Sequence, residues 1–301
     1  MPSSHRIVNA IRAPRPSLSF EFFPPRDPGG LDALKRHLDG LEAAVSPDFV
    51  SVTHGAGGSG PDRRESSARL ARLVAQVGGP AAMRHLTVAG YTRAELVAII
   101  EGLNGEEVDA VLALRGDPPG GPTVPWRPQS GGLDYAAQLV RLVSDAGHDA
   151  GVAAFPEGHP ASKDLDQDLA VLRLKEEAGA AFAITQMVFG VEPYRRFVAR
   201  VQAGGIQLPI VPGIMPVTAA AQLARLEVFA GAPLPAGLVG RLADAGAEVT
   251  AQREVGIEWA AELADGLLAA GAPGIHFYTL NRTGSSLEVC RRIGLRGRRL
   301  G

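Results

Sequence analysis

Short apolar, β-branched runs alternate with helical patterns along most of the chain. Between the runs, apolar residues recur at helical spacing, as Leu165, Leu169 and Leu172 do at i, i+4 and i+7. Short apolar runs bounded by turn residues predict buried strands, and the longer spacing predicts helices with one apolar face. Eight strands are predicted, over residues 17–22, 48–53, 85–89, 108–114, 151–155, 182–186, 209–212 and 274–278.

Helix boundaries support the same alternation. Thr92 and Glu95 have the spacing of a capping box. A glycine stands before four of the strands, where the end of a helix favours one: Gly147, Gly179, Gly204 and Gly271. Strand and helix repeated eight times predict an α/β protein with one (β/α)₈ TIM barrel, and a doubly wound sheet is the alternative because it shares these local units.

The last repeat is longer than the others. The segment between Pro212 and Gly274 has room for extra helices before the last strand, and one is predicted over 235–245. We expect an N-terminal extension at 1–16, a catalytic barrel at 17–295 and a basic C-terminal tail at 296–301. The first 17 residues lack a continuous apolar segment, so we expect no secretory signal and a cytoplasmic location.

Composition narrows the class of protein. With 46% hydrophobic and 21% charged residues in 301, the chain is typical of a globular protein. Its 30 basic and 32 acidic residues give a net charge of -2, which does not favour nucleic acid or a membrane as partner. The single Cys290 excludes an intrachain disulfide and a cysteine-based zinc site.

Polar residues follow nearly every predicted strand. The C-terminal strand ends form the active face of a TIM barrel, so we expect a site there. The residues in question are Glu21, Thr53, His54, His85, Arg115, Asp117, Glu157, His159, Thr185, Gln186, His276, Thr279, Asn281 and Arg282.

Several of these residues have two readings. Glu21 lies among phenylalanines, where a carboxyl group is costly unless it is paired, for instance with Arg282, or protonated. A protonated carboxyl with a raised pKa would suit proton donation near neutral pH. Asp117 is either a turn cap before Pro118 or a functional acid, and His85 and His159 are either core histidines or ligands of a bound group.

A glycine-rich segment at 55–60 matches a dinucleotide-binding pattern. That pattern also requires an acid at the end of the next strand, which is missing here, so we discount the match. Asp164 and Asp166 stand at the start of a predicted helix, where the helix dipole stabilises negative charge. We therefore interpret both as solvated carboxylates.

Taken in order, the strand-end motifs resemble one family. These motifs are SFEFFPP at 19–25, FVSVT at 49–53, HLT at 85–87, LRGD at 114–117, PEGHP at 156–160, ITQ at 184–186, PGIMP at 212–216 and HFYTLNR at 276–282. Over about residues 17–295 the chain resembles methylenetetrahydrofolate reductase of the bacterial type.

The resemblance implies a flavoenzyme barrel that holds FAD at the C-terminal strand ends. It implies reduction of 5,10-methylenetetrahydrofolate to 5-methyltetrahydrofolate by NADH or NADPH, in ping-pong order through the flavin. This reaction belongs to one-carbon metabolism and supplies methionine biosynthesis. The resemblance also implies a homo-oligomer and no metal.

The same resemblance assigns roles to individual residues. Glu21 matches the general acid that assists opening of the folate one-carbon ring, and Asp117 matches the acid that stabilises the cationic iminium. Gln186 matches the pterin-binding glutamine, and Arg282 matches a group that meets the glutamate tail. The positions that match FAD contacts are Thr53, His85, Leu114, Arg115, Gly116, Asp117, Tyr135, Ala136, Phe155, His159, Asp168 and Lys175. Lys175 and Asp168 are seven residues apart, so we expect them on one helix face.

The chain departs from the family pattern at a few positions. Phe155 replaces a common tyrosine, Val171 and Leu174 replace polar helix residues, and Leu226 replaces an aromatic residue over the folate. The alternatives are therefore a folate reductase that binds flavin weakly or not at all, and a folate-binding homologue without catalysis.

Overall fold

The computed structural model describes residues 5–25, 28–53, 61–76, 79–103, 108–118, 124–230 and 233–298. Within these ranges, parallel strands close into a barrel in sequence order, and the last strand pairs with the first. The strands are β1 Ser17–Phe22, β2 Phe49–Val52, β3 Ala81–Thr87, β4 Ala110–Leu114, β5 Asp149–Ala154, β6 Ala180–Met187, β7 Ile210–Ile214 and β8 Gly274–Tyr278. The predicted (β/α)₈ barrel is confirmed.

Helices cover the outside of the barrel and one of its ends. They are α1 Arg6–Ile11, α2 Pro28–Val45, α3 Pro61–Gln76, α4 Arg93–Gly102, α5 Ala136–Asp145, α6 Leu165–Glu177, α7 Val191–Ala203, α8 Leu223–Ala230, α9 Ala236–Asp244, α10 Val249–Ala269 and α11 Gly284–Ile293. Three of them, α8 to α10, lie between β7 and β8, which confirms the extra helices. None of the helices in the described ranges has both the length and the apolar character to span a membrane.

Strands β2 and β4 to β7 differ from the sequence-based bounds by one or two residues at their ends. Two other boundaries have a specific physical reason. Strand β3 begins at Ala81 rather than at residue 85, because Ala81 pairs with Phe49 of β2 although alanine itself has little strand preference. Helix α7 ends with Gly204 as its C-cap in a right-handed conformation, and Gly205 takes the left-handed one with φ 76°. The capping box of α4 is confirmed: Thr92 accepts from the Glu95 N–H, and Glu95 accepts from the Thr92 N–H at 2.8 Å.

The barrel interior changes from apolar to polar along the strands. At its N-terminal end, the side chains of Ile7 and Ile11 from α1 pack with an interior cluster of strand residues that includes Phe49, Met83 and Phe182. Side chains of a strand alternate between two faces, so the inward positions recur every second residue. Toward the C-terminal end these positions reach polar residues: Glu21 after Ser19, His85 after Met83 and Gln186 after Ile184.

Candidate active site

Glu21 lies at the C-terminal end of β1 between two histidines. Its side chain is buried, and Oε2 lies 3.6 Å from Nε2 of His85 and 4.0 Å from Nε2 of His276. A serine holds each imidazole: Ser51 Oγ lies 2.6 Å from Nε2 of His85, and Ser19 Oγ lies 2.8 Å from Nδ1 of His276. The barrel register creates this cluster, since β1 pairs Ser19 with His276 and Glu21 with Ser51.

His85 does not neutralise Glu21 with a positive charge. Burial lowers the pKa of His85 to about 4, although the Glu21 carboxylate raises it. His85 is therefore neutral at pH 7, and its 3.6 Å contact with Glu21 is not an ion pair at that pH. The salt bridge to Arg282 considered from the sequence does not form, because Arg282 is exposed and makes no ion pair among the described residues.

The backbone around Glu21 is tied to the turn after β8. The Thr279 hydroxyl donates to the Glu21 carbonyl. Asn281 accepts from the Phe23 N–H at 2.8 Å and donates to the Phe23 carbonyl at 3.0 Å. Leu280 and Asn281 have positive φ angles of 47° and 60°, a conformation that non-glycine residues rarely adopt. The first and last strand loops are thus fixed to each other at the mouth.

A second cluster forms where β5 is followed by α6. Lys175 and Asp168 share one face of α6, as expected. The buried Lys175 Nζ donates to the Ala153 carbonyl at 2.9 Å, and burial lowers its pKa to about 8 although Asp168 raises it. Asp168 accepts from the His159 N–H at 3.0 Å and from the Ser162 hydroxyl.

His159 lies at the centre of this second cluster. Burial lowers its pKa; nearby Arg115 and Lys175 lower it further, while Asp168 and Asp117 act in the opposite direction. Its Nδ1 accepts from the Ala161 N–H at 3.0 Å, so the neutral ring carries its proton on Nε2. The Phe155 ring meets the His159 ring edge-on with centroids 4.6 Å apart.

The segment before α5 lies against Arg115. The Arg115 guanidinium lies 5.4 Å from the Trp126 ring centre, and the Trp126 indole donates to the Asp134 carbonyl at 2.8 Å. Tyr135 and Ala136 follow directly; the Tyr135 side chain is exposed and Ala136 is buried. Leu114 packs against the interior cluster.

The remaining predicted residues lie at other strand ends. Asp117 is exposed after β4, and the turn that it would cap, at 119–123, lies outside the described residues. Gln186 is half-buried near the end of β6, and its Oε1 accepts from the Met187 N–H at 2.9 Å. Thr53 is buried after β2, and its Oγ1 has no partner among the described residues. His54 and the glycine segment at 55–60 lie outside the described residues.

Sequence reasoning missed part of the surroundings of Glu21. Ser19, Ser51 and Tyr278 were not singled out, and His276 was placed among the strand-end polar residues without a role. The alternation of strand side chains could have indicated some of them. Ser19 precedes Glu21 by two positions, and His276 precedes Tyr278 by two, so the members of each pair lie on the same face of their strand. In the described part of the chain, no group of three or more His, Cys, Asp or Glu side chains is arranged to hold a metal ion.

A closed parallel barrel with a buried acid and a basic cluster at its C-terminal strand ends is the architecture of a TIM-barrel enzyme. The sequence matches the family model "Methylenetetrahydrofolate reductase" over residues 6–294. It is 36% identical to the 5,10-methylenetetrahydrofolate reductase of Pectobacterium carotovorum over 94% of this chain and 91% of that one. The Escherichia coli K12 protein of the same name is 35% identical, over 93% and 91%. The chain therefore belongs to the methylenetetrahydrofolate reductase family, and it is an oxidoreductase.

Two more distant comparisons concern a longer relative and a shared fold. Methylenetetrahydrofolate reductase 1 of Schizosaccharomyces pombe is 30% identical over 98% of this chain and 49% of its own length. Among solved structures, an uncharacterised Clostridium thermocellum protein that binds two copies of 5-methyl-5,6,7,8-tetrahydrofolic acid has a TM-score of 0.64. It is 15% identical, and the match covers 94% of this chain and 96% of that one. At that identity the likeness shows the shared fold.

Proposed function

We propose that this protein reduces 5,10-methylenetetrahydrofolate to 5-methyltetrahydrofolate with NAD(P)H, using FAD. The observation that carries the proposal is the buried Glu21 carboxyl between two imidazoles at a strand end of a barrel from this family. The Clostridium thermocellum neighbour, which shares the fold, binds a folate, and this supports a folate as the substrate class. The proposal includes a cytoplasmic homo-oligomer, whose subunit number sedimentation of the purified protein tests.

The residues present fit FAD. Thr53 Oγ1 is a buried hydroxyl without a partner among the described residues, and it would bind a polar group of the cofactor. Lys175 uses one described acceptor, so its ammonium has donors left for a diphosphate, and Arg115 adds a second positive charge. At Gly116, with φ 76°, a Cβ would lie 2.9 Å from Thr87 and Ala89, so this backbone remains bare for close approach.

FAD would supply a two-electron carrier that passes hydride from NAD(P)H to the folate in ping-pong order. Glu21 would donate a proton to the folate amine nitrogen that leaves as the one-carbon ring opens. Asp117, exposed at the mouth, would stabilise the positive charge of the resulting iminium. Gln186 would bind the pterin, and Arg282 would meet the glutamate tail.

A second candidate is a folate reductase that binds flavin weakly or not at all. It is favoured by Val171 and Leu174, apolar side chains that are 39% and 56% exposed on α6, the helix that carries Lys175 and Asp168. A cofactor held along α6 would lose polar contacts at these two positions.

An anaerobic visible spectrum of the purified protein distinguishes the two candidates. We expect a flavin band that bleaches with NADH and returns when methylenetetrahydrofolate is added. A colourless protein that takes up no added FAD but still reduces the folate would replace the first candidate with the second.

The variant Glu21→Gln tests the proton donor separately. Loss of a general acid typically slows a reaction by about 10²–10⁴, so folate reduction should fall in that range. NADH oxidation with an artificial acceptor should be retained, because it needs no proton at the folate. Glu101→Gln, on the exposed end of α4, is the matched control. Unchanged folate reduction in Glu21→Gln would favour a non-catalytic role for this residue.

A further inference from the structure

The β6–β7 ladder is interrupted beside Gln186, and side chains replace the missing ladder bonds. Register pairs join Ile184 to Val211 and Met187 to Gly213, with an irregularity between them. Within it, the Gly213 N–H donates to Thr185 Oγ1 at 2.9 Å, and the Met187 N–H donates to Gln186 Oε1 at 2.9 Å. The Thr185 carbonyl, next to Gln186 in the chain, takes its hydrogen bond from Tyr278.

Tyr278 reaches this carbonyl across an intervening strand. It lies on β8, whereas Thr185 lies on β6, and the barrel places β7 between them. The Tyr278 hydroxyl donates to the Thr185 carbonyl at 2.7 Å. The Tyr278 side chain passes over Gly213 of β7. A Cβ at Gly213 would lie 2.4 Å from the Tyr278 ring and 2.7 Å from the Thr185 carbonyl oxygen. The absence of a side chain at Gly213 is therefore what allows the contact.

This hydrogen bond is stable across ordinary pH. Burial and the nearby Glu21 carboxylate hold the pKa of Tyr278 well above its usual value, so its hydroxyl stays protonated and remains a donor. Tyr278 is also the register partner of Glu21 on β1. One aromatic side chain thus lies between the proposed acid and the strand that carries Gln186.

The orientation of Gln186 follows from the same irregularity. Its amide oxygen accepts from the Met187 N–H, which points its NH₂ group away from that backbone; both NH₂ donors are without a partner among the described residues. This orientation of the Gln186 amide depends on the backbone conformation of residues 185–187. Two hydrogen bonds hold that backbone: Tyr278 donates to the Thr185 carbonyl, and the Gly213 N–H donates to the Thr185 hydroxyl.

We propose that Tyr278 is a positioning residue, which fixes the β6 irregularity so that Gln186 presents its amide NH₂ to the pterin of the folate. The inference rests on the proposed function of Gln186 in binding folate. Tyr278 acts through the strand backbone and takes no part in the proton transfer.

The test is a double-mutant cycle of Tyr278→Phe and Gln186→Ala, read as the dissociation constant of 5-methyltetrahydrofolate by calorimetry. Loss of one hydrogen bond corresponds to roughly a 3- to 10-fold change, so Tyr278→Phe should weaken binding by that factor. In the Gln186→Ala background the further loss should vanish, because coupled residues are non-additive. In steady state, KM for the folate should rise while NADH oxidation with an artificial acceptor stays unchanged.

Tyr194→Phe is the matched control. Its hydroxyl also donates to a strand carbonyl at 2.7 Å, that of Ile210, where β7 begins. It should lower stability as Tyr278→Phe does and leave folate binding unchanged. Thr185→Val, which removes the other support of the irregularity, gives an independent variant and should show the same coupling to Gln186.

Each other outcome contradicts part of the argument. Unchanged folate binding in Tyr278→Phe, or an equal loss with and without Gln186, overturns the positioning role. If Gln186→Ala itself leaves folate binding unchanged, the proposed function of Gln186 fails, and the inference fails with it.

Discussion

Lys175→Met should stabilise the flavin-free protein at neutral pH. The Lys175 ammonium is buried in α6, and its pKa falls from 10.5 to about 8. Keeping the charge there at pH 7 therefore costs about 3 kcal/mol relative to the unfolded chain. Methionine has a similar volume and no charge, and its introduction loses the hydrogen bond to the Ala153 carbonyl, worth about 1 kcal/mol. The net gain in the free energy of unfolding is about 2 kcal/mol.

The sign of the pH dependence follows from the lowered pKa. An unfolded lysine keeps its proton up to about pH 10.5, whereas the folded Lys175 releases it near pH 8. Between these values the unfolded state binds more protons, so the free energy of unfolding of the parent protein rises with pH. The variant lacks this rise, and its advantage should shrink by about 2 kcal/mol between pH 7 and pH 10.

Urea unfolding at pH 7, 8, 9 and 10 measures this difference, with Lys163→Met as the control because Lys163 is exposed. Under the proposed function the same variant should bind FAD more weakly, since it loses a cation for the diphosphate, and bind riboflavin as the parent does. A variant less stable than the parent at pH 7, or a stability difference that stays constant from pH 7 to pH 10, would refute the reasoning.

Two further predictions concern the mouth and the opposite end of the barrel. Asp117→Asn should slow folate reduction on the order of 100-fold without lowering the midpoint of unfolding. The control is Asp145→Asn, on the exposed end of α5. A rate of folate reduction equal to that of the parent would mean that Asp117 has no electrostatic role. Ile7→Ala should lower the free energy of unfolding by about 2–5 kcal/mol, because Ile7 is fully buried in the interior cluster. In urea unfolding, a loss no larger than that of the exposed Asn9→Ala would mean that α1 does not contribute to the barrel core.

The sequence predicts the barrel well because each strand is a short apolar run with glycine or proline near its ends. The bounds of β1 and β8 agree with the expectation, and the length of the segment before β8 indicated extra helices there, of which the one predicted over 235–245 is α9. The start of β3 was wrong because Ala81 and Ala82 carry no strand signal of their own; their pairing with β2 makes them strand residues. Local patterns thus predict an element where its own residues prefer it, and miss it where only the neighbouring strand imposes it.

The candidate site divides in the same way. Lys175 and Asp168 could be paired from the sequence because one helix sets their spacing. Ser19 and His276 are 257 positions apart and meet only because β8 closes the barrel against β1. Tyr278 and Thr185 are 93 positions apart and meet only because Gly213 leaves space on the strand between them. These contacts depend on strand order and register, which cannot be predicted from the alternation of residues within a single strand. Once closure in sequence order is accepted, the inward positions of the first and last strands can be read together, and Glu21 then has His276 and Tyr278 as neighbours. The partners of a barrel acid should therefore be sought on the inward positions of both adjacent strands, however far away they lie in the chain.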